Sequence, residues 1–325
     1  GSLAPRDIVA REIDAEMKGK TLYVWPDSLI APISFTKVAL KKKGRNPDEY
    51  KRFWKEPGAK IFQFLGQDNV YFYVLMQGAM WFGTQADIHR QPVAGEYQLT
   101  DVFSAFHLMV NGEKMSKSTG NFYTADQLLD DEDKKYDADQ VRYFLSTLGL
   151  ADKQSNFDFE TFKERNKFLA GPLNAAIEKP ISACNSKFDG KVPAGNLLEK
   201  AEKETLKIVQ LYLKSMEKAE YVTLLGQIEN YARLINSFFV QFKPHDDRAP
   251  METRADALYS CFYVLKNLMI MLHPFAPQTI ERVRQSLNLS SDVFTLDQLG
   301  TDIPAGHQIG QKQQYFPAVE GAMEE

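Results

Sequence analysis

Eight consecutive residues in this 325-residue chain have the types and spacing to do chemistry: Lys114-Met115-Ser116-Lys117-Ser118-Thr119-Gly120-Asn121. They follow an apolar run, Ala105–Val110, through an Asn111-Gly112 turn. Two lysines flank small hydroxyls, and the string ends at a glycine. A loop of this kind wraps a polyphosphate. Ammonium groups neutralise charge on a leaving pyrophosphate, while hydroxyls and backbone N–H groups donate hydrogen bonds. In adenylate formation the attacking carboxylate and the departing pyrophosphate are both negative, and relieving that repulsion is much of the catalysis. A lysine-rich surface turn would require only Lys-Xaa-Xaa-Lys. Eight specified residues after a strand favour the phosphate loop, with Lys114 and Lys117 as its charges.

The elements that must position this loop begin with short strands. Thr21–Trp25 is β-branched and aromatic and is stopped by Pro26-Asp27-Ser28; Lys60–Leu65 ends at Gly66; Ala105–Val110 ends at Asn111-Gly112. A helical stretch around Tyr71–Trp81 lies between them, so the pattern predicts a parallel α/β sheet. After residue 137 the strand signals fade. Asp137 reads as a helix N-cap before Val141, Phe144, Leu145 and Leu148. A second helix is predicted over Phe157–Ala170, after a polar loop at Asp152–Asn156. Leu206, Val209, Leu213 and Met216 form one apolar stripe; Leu258, Phe262, Leu265, Met269 and Leu272 form another, stopped by Pro274. Both stripes are read as core. With loops at Pro180–Pro193 and Pro244–Pro250, the second half reads as an all-α bundle. The last 35 residues, rich in Gly, Gln and Pro, are predicted to wrap its surface.

The net charge of −4 excludes a uniformly basic nucleic-acid coat, so contact with nucleic acid has to come from local patches. Lys37–Lys60 holds nine basic residues against three acidic ones, and reads as an exposed face in preference to an RNA contact. Asp126–Asp139 holds seven acidic residues against two lysines, and reads as a solvated linker and helix start. Two cysteines, Cys184 and Cys261, are too few for a disulfide framework or a four-ligand zinc site, and read as buried thiols of a cytoplasmic protein. No run of 18 or more apolar residues marks a membrane span, and the N-terminus has no signal-peptide character. Gly1-Ser2 looks like a tag remnant. With no initiator Met, the chain is expected to be part of something longer.

The lysine loop resembles the Lys-Met-Ser-Lys-Ser signature of the class I aminoacyl-tRNA synthetases, and within that class the chain resembles the methionyl-tRNA synthetase family. Leu3–Ile8 resembles the return from that family's connective domain. Tyr23-Val24-Trp25-Pro26-Asp27 resembles the segment beside its methionine pocket, and Phe64–Phe72 its strand-to-helix turn. Asp139–Leu148 with Asn156–Phe159 resembles the stem-contact segment, the bundle its anticodon-binding domain, and Leu299–Pro317 its closing tail. The resemblance implies ligation of methionine to tRNA through an adenylate, with ATP and Mg²⁺ as substrate and no resident metal. It implies ATP contacts at Lys114, Met115, Ser116, Lys117, Ser118 and Asp68. Methionine contacts fall on Trp25, Asp27, Tyr73 and Met76; tRNA contacts fall on Asn174, Lys179, Asn236, Phe238, Phe239 and Gln241. It implies half of a Rossmann-type α/β catalytic domain (1–125), a stem-contact linker (126–165), an α-helical anticodon-binding bundle (166–290) and a tail packing back on the surface (291–325).

Departures accompany the resemblance. The other class I signature, His-Xaa-Gly-His, is absent from these 325 residues. The chain is therefore expected to be a C-terminal portion, inactive alone, with the missing half of the enzyme as a partner. The zinc ligands belong to the absent connective domain. Tyr73 stands where the family has His; Met76 and Gln77 replace an aromatic pair; Leu29–Pro32 replaces Pro-Ile-Gly-Tyr. All three tryptophans, Trp25, Trp54 and Trp81, precede the bundle, so Phe238 or Phe239 is expected to stack an anticodon base. The alternative function is a noncatalytic RNA- or protein-binding module; the intact lysine loop argues for the ligase.

Overall fold

The computed structural model describes residues 24–116, 118–124, 128, 136–151 and 153–319. The chain divides into two compact units, 1–107 and 108–325.

In the first unit, helix α1 spans Trp25–Lys42. The Trp25-Pro26-Asp27 string, expected as strand and stop, instead starts this helix; Thr21–Tyr23 lie outside the described residues. A proline in the first turn forgoes an N–H that has no partner there, and the Asp27 carboxylate complements the helix dipole. Strands β1 (Phe62–Gly66) and β2 (Asp101–Ala105) pair in parallel, with Phe64 opposite Phe103. Parallel pairing requires a crossover. Part of it is a π-helical segment, Tyr71–Met76, running into α2 (Gln77–Phe82). Ile33, Leu40, Tyr50, Trp54 and Trp81 form the core, and Trp54 Nε1 donates to Thr36 Oγ1 at 2.9 Å. The basic run is exposed at Lys41–Lys43, while Lys37 and Lys55 set their ammonium groups over the rings of Tyr50 and Tyr97.

The second unit opens with a small sheet. Strand β3 (Leu108–Val110) pairs antiparallel with β4 (Glu113–Lys114) and parallel with β5 (Ser155–Phe157). The single strand expected over Ala105–Val110 is thus two strands in two sheets, broken at Phe106-His107. Strand β5 replaces the end of the expected loop. Asp137 caps α3 (Ala138–Thr147) in a reciprocal capping box with Gln140. Asp158 caps α4 (Phe159–Phe168), which starts later than Phe157 because that residue is the last of β5. Phe144 packs edge-to-face on Phe157 and on Phe162, which stack on each other, in one cluster with Val110. Of the acidic run, 126–127 and 129–135 lie outside the described residues; Asp139 is buried and accepts from Thr279 N at 2.6 Å.

The bundle comprises α5 (Asn174–Lys187), α6 (Glu199–Lys218), α7 (Tyr221–Phe242), α8 (Met251–Leu272) and α9 (Pro277–Ser286). Helix α8 buries the predicted stripe and most of its other positions. It is long and apolar enough to cross a membrane by length and composition, and it is the central helix of the core. Helix α6 does not follow the expected stripe. It buries Ala201, Thr205, Ile208, Tyr212 and Ser215, leaving Leu206 at 53% and Leu213 at 45% exposure. Pro180, expected in a loop, lies inside α5 between buried Ile177 and Ile181. The tail buries Tyr315 and Phe316 against the bundle, where Tyr315 Oη donates to Ser286 Oγ at 2.8 Å. Both cysteines are free and buried, and burial pushes the Cys184 thiol up to about 12. The chain is thus a partial Rossmann-type α/β piece followed by an all-α bundle.

Candidate functional site

The lysine loop grows from a tight hairpin. Asn111 and Gly112 both take positive φ, 50° and 82°, as a two-residue turn between twisted strands requires. The Gly112 N–H donates to Asn156 Oδ1 on β5 at 2.7 Å, pinning the turn to the sheet. Lys114 closes β4 opposite Met109 and is exposed. Ser116 and Asn121 then form a bridge, Ser116 N donating to Asn121 O at 3.0 Å. Within it, Ser116 Oγ and Ser118 Oγ are 2.9 Å apart, and Gly120 turns the chain with φ 75°. Asn121 Nδ2 donates to Val110 O and to Lys114 O, each at 3.2 Å, holding both ends of the loop. Met115 is 40% exposed. Lys117 lies outside the described residues. The serine hydroxyls face each other over an exposed turn, an arrangement open to a polyanion.

In the first unit, Trp25 and Tyr73 line one cavity of about 770 Å³ with Phe35, Trp54, Gly66 and Asn69. Trp25 stacks on Phe72, centroids 4.2 Å apart and planes 5° from parallel. Asp68 follows the β1 end at Gly66. A Cβ at position 66 would lie 2.6 Å from Asp68 Oδ1, so glycine allows the carboxylate to fold back. Asp27 and Met76 are not among the cavity's lining residues. Gln77, where an aromatic was expected, is a buried structural tie: its Nε2 donates to Leu29 O and its Oε1 accepts from Gln63, both at 2.7 Å.

The bundle residues are arranged differently from expectation. Phe238 is 1% exposed and Phe239 6%, both in the core, so neither ring is available to stack a base. The α7 core face takes in both positions because adjacent residues at 100° can share a wide apolar stripe. Asn174 hydrogen-bonds Phe316 of the tail. Lys179 Nζ donates to Asn236 Oδ1 at 2.9 Å, and Asn236 Nδ2 donates to Pro172 O at 2.9 Å. Gln241 is exposed. Tyr143 of α3 donates to Glu229 of α7 at 2.7 Å, and burial together with that carboxylate holds its phenol well above the ordinary range. Asn121, Asn156 and Phe72 lie in segments the sequence singles out, but the holding role of the two asparagines and the stacking of Phe72 on Trp25 were not read from it. An asparagine gives no signal until its carbonyl partners are known.

Comparison with known proteins follows the same lines. A family model described as "tRNA synthetases class I (M)" matches residues 8–179. The methionine–tRNA ligase of Bacteroides fragilis is 31% identical, covering 94% of this chain and 43% of that protein. The Pyrococcus abyssi ligase is 27% identical, covering 94% and 42%. The chain thus spans less than half the length of these relatives. Among solved structures, Mycobacterium tuberculosis methionyl-tRNA synthetase bound by methionyl-adenylate shares the fold, with TM-score 0.73 and 19% identity over 91% of this chain and 56% of that one. Its free form gives 0.72 and 16%, over 93% and 56%. A lysine loop on a pinned hairpin, a partial Rossmann-type sheet and a helical bundle therefore accompany a family match over more than half the sequence, and the chain belongs to the class I (M) tRNA synthetases, the methionyl-tRNA synthetase family.

Proposed function

We propose that this chain is the lysine-loop portion of a methionine–tRNA ligase of the cytoplasm, acting on methionine, ATP with Mg²⁺, and tRNA. The observation that carries the reading is the loop itself: Lys114 through Asn121 intact on a hairpin held by Asn121 and Asn156. Lys114 and Lys117 neutralise the departing pyrophosphate, and the Ser116 and Ser118 hydroxyls donate to it. Asp68 faces the ribose, and the cavity bearing Trp25 and Tyr73 takes the amino acid, where a thioether gains from aromatic contact. Residues 1–125 supply the catalytic portion, 126–165 the contact to the tRNA stem and 166–290 the anticodon face, closed by 291–325.

With no His-Xaa-Gly-His among its residues, the chain alone does not catalyse methionine-dependent ATP–pyrophosphate exchange; it works with the other half of the catalytic domain. In an enzyme that carries this chain, Lys117→Ala lowers the exchange rate a hundredfold or more, about 3 kcal/mol, with little change in methionine affinity. Loss of methionine affinity at an unchanged rate would defeat the assignment. The burial of Phe238 and Phe239 favours a second reading, in which the bundle contacts RNA or protein without base stacking. Tight, anticodon-independent tRNA binding would support that reading.

A further inference from the structure

Helices α6 and α7 border a groove of about 300 Å³ that none of the candidate site residues above lines. Asn236 faces α5 through Lys179 and Pro172, whereas Gln227, Asn230 and Ser237 of α7 turn to this other groove. Its apolar lining is Ile208, Leu211, Leu234 and the ring of Tyr231. Its rim carries Lys200 and Lys207 against one carboxylate, Glu204, which lies 3.9 Å from Lys207; Arg233 also lines it, with its guanidinium over the Phe168 ring, 5.2 Å from the centroid. The carboxamides of Gln227 and Asn230 have no hydrogen-bond partner among the described residues.

We propose that this groove binds one free nucleoside monophosphate, its base on the apolar floor and its phosphate at Lys200 and Lys207. Each part of the groove has a use in that ligand. An apolar floor that includes the Tyr231 ring packs against a planar base. Two carboxamides offer paired donors and acceptors to the polar edge of a heterocycle. Two lysines beside one carboxylate leave a positive charge for a phosphate. A fatty acid would leave the carboxamides unused, and inorganic phosphate would leave the floor unused. The size lies at the small end of ligand pockets, and the place, between helices of a bundle, is a common one for such sites.

The test is titration of the ¹⁵N-labelled chain with AMP and with UMP, following the side-chain amides of Gln227 and Asn230. Saturable shifts are expected at both. Adenosine and inorganic phosphate should each bind at least tenfold more weakly. Lys207→Glu and, separately, Lys200→Glu should weaken AMP tenfold or more at an unchanged melting temperature. Lys117→Ala should leave these shifts intact, separating the groove from the lysine loop. No saturable shift, equal affinity for inorganic phosphate, or full affinity in both charge-reversed variants would overturn the proposal. A pentaribonucleotide binding tenfold more tightly than AMP through the same amides would overturn the free-nucleotide assignment in favour of an RNA strand.

Discussion

Asn174 and Phe316 hold each other through a reciprocal pair of hydrogen bonds: Asn174 Nδ2 donates to Phe316 O at 2.7 Å, and Phe316 N donates to Asn174 Oδ1 at 3.1 Å. The first bundle helix is thereby stitched to the closing tail. Asn174→Ala is expected to cost about 1–3 kcal/mol, because it strands two half-buried backbone groups. Asn174→Asp retains the acceptor and should cost less near neutral pH. Amide exchange at Phe316 reads both; unchanged protection in the alanine variant would refute the stitch.

Asn121 carries a comparable duty in the lysine loop. Asn121→Ala removes the donors to Val110 O and Lys114 O and should accelerate exchange at the Ser116 amide roughly tenfold, equivalent to about 1.4 kcal/mol of local opening. Global melting should shift little, since the loop is exposed. A large drop in melting temperature with an undisturbed Ser116 amide would contradict this.

Phe238→Ala and Phe239→Ala should each lower stability by about 3–5 kcal/mol, the range for a buried ring. Thermal melts decide it. A variant that melts like the parent yet loses RNA binding would return that ring to a surface role.

His273 stacks on Phe294 with centroids 3.9 Å apart, and burial pulls its imidazole below the ordinary 6.5, against the opposing pull of Glu281 and Asp139. The unfolded chain therefore takes this proton first as pH falls through 6.5. Stability is lost from there downward until the folded imidazole also titrates. His273→Phe should flatten the decline in melting temperature between pH 7 and pH 5. An identical slope in parent and variant would exclude His273 as its source.

Local chemistry was readable in the sequence where neighbours in the chain settle the geometry. The Asp137 N-cap and the Asn111-Gly112 turn need only neighbouring residues, and α8 is so apolar that any phase places it in the core. Helix α6 was not readable by the same rule. Its buried face uses Ala201, Thr205 and Ser215, and Thr205 Oγ1 lies 2.6 Å from Tyr231 Oη, a pairing that hydropathy ignores. Strand β5 has three residues, too few for any period, and exists because β3 offers it an edge. At the site, the lysines and serines announced themselves, while Asn121 and Asn156 depend on carbonyl and amide groups brought close only by folding.

Strand β3 sits between β4 and β5, and β5 comes later in the chain, beyond α3. Synthesis proceeds from the amino end, so on the ribosome the hairpin emerges with one edge bare and its Gly112 amide without Asn156. The closing bonds come later still, since Gln140 Nε2 donates to Pro317 O and Arg282 donates to Tyr315 O. The nascent unit thus carries an open seam until residues 315–317 have left the exit tunnel, a window in which bare strand edges and apolar helix faces invite chaperones.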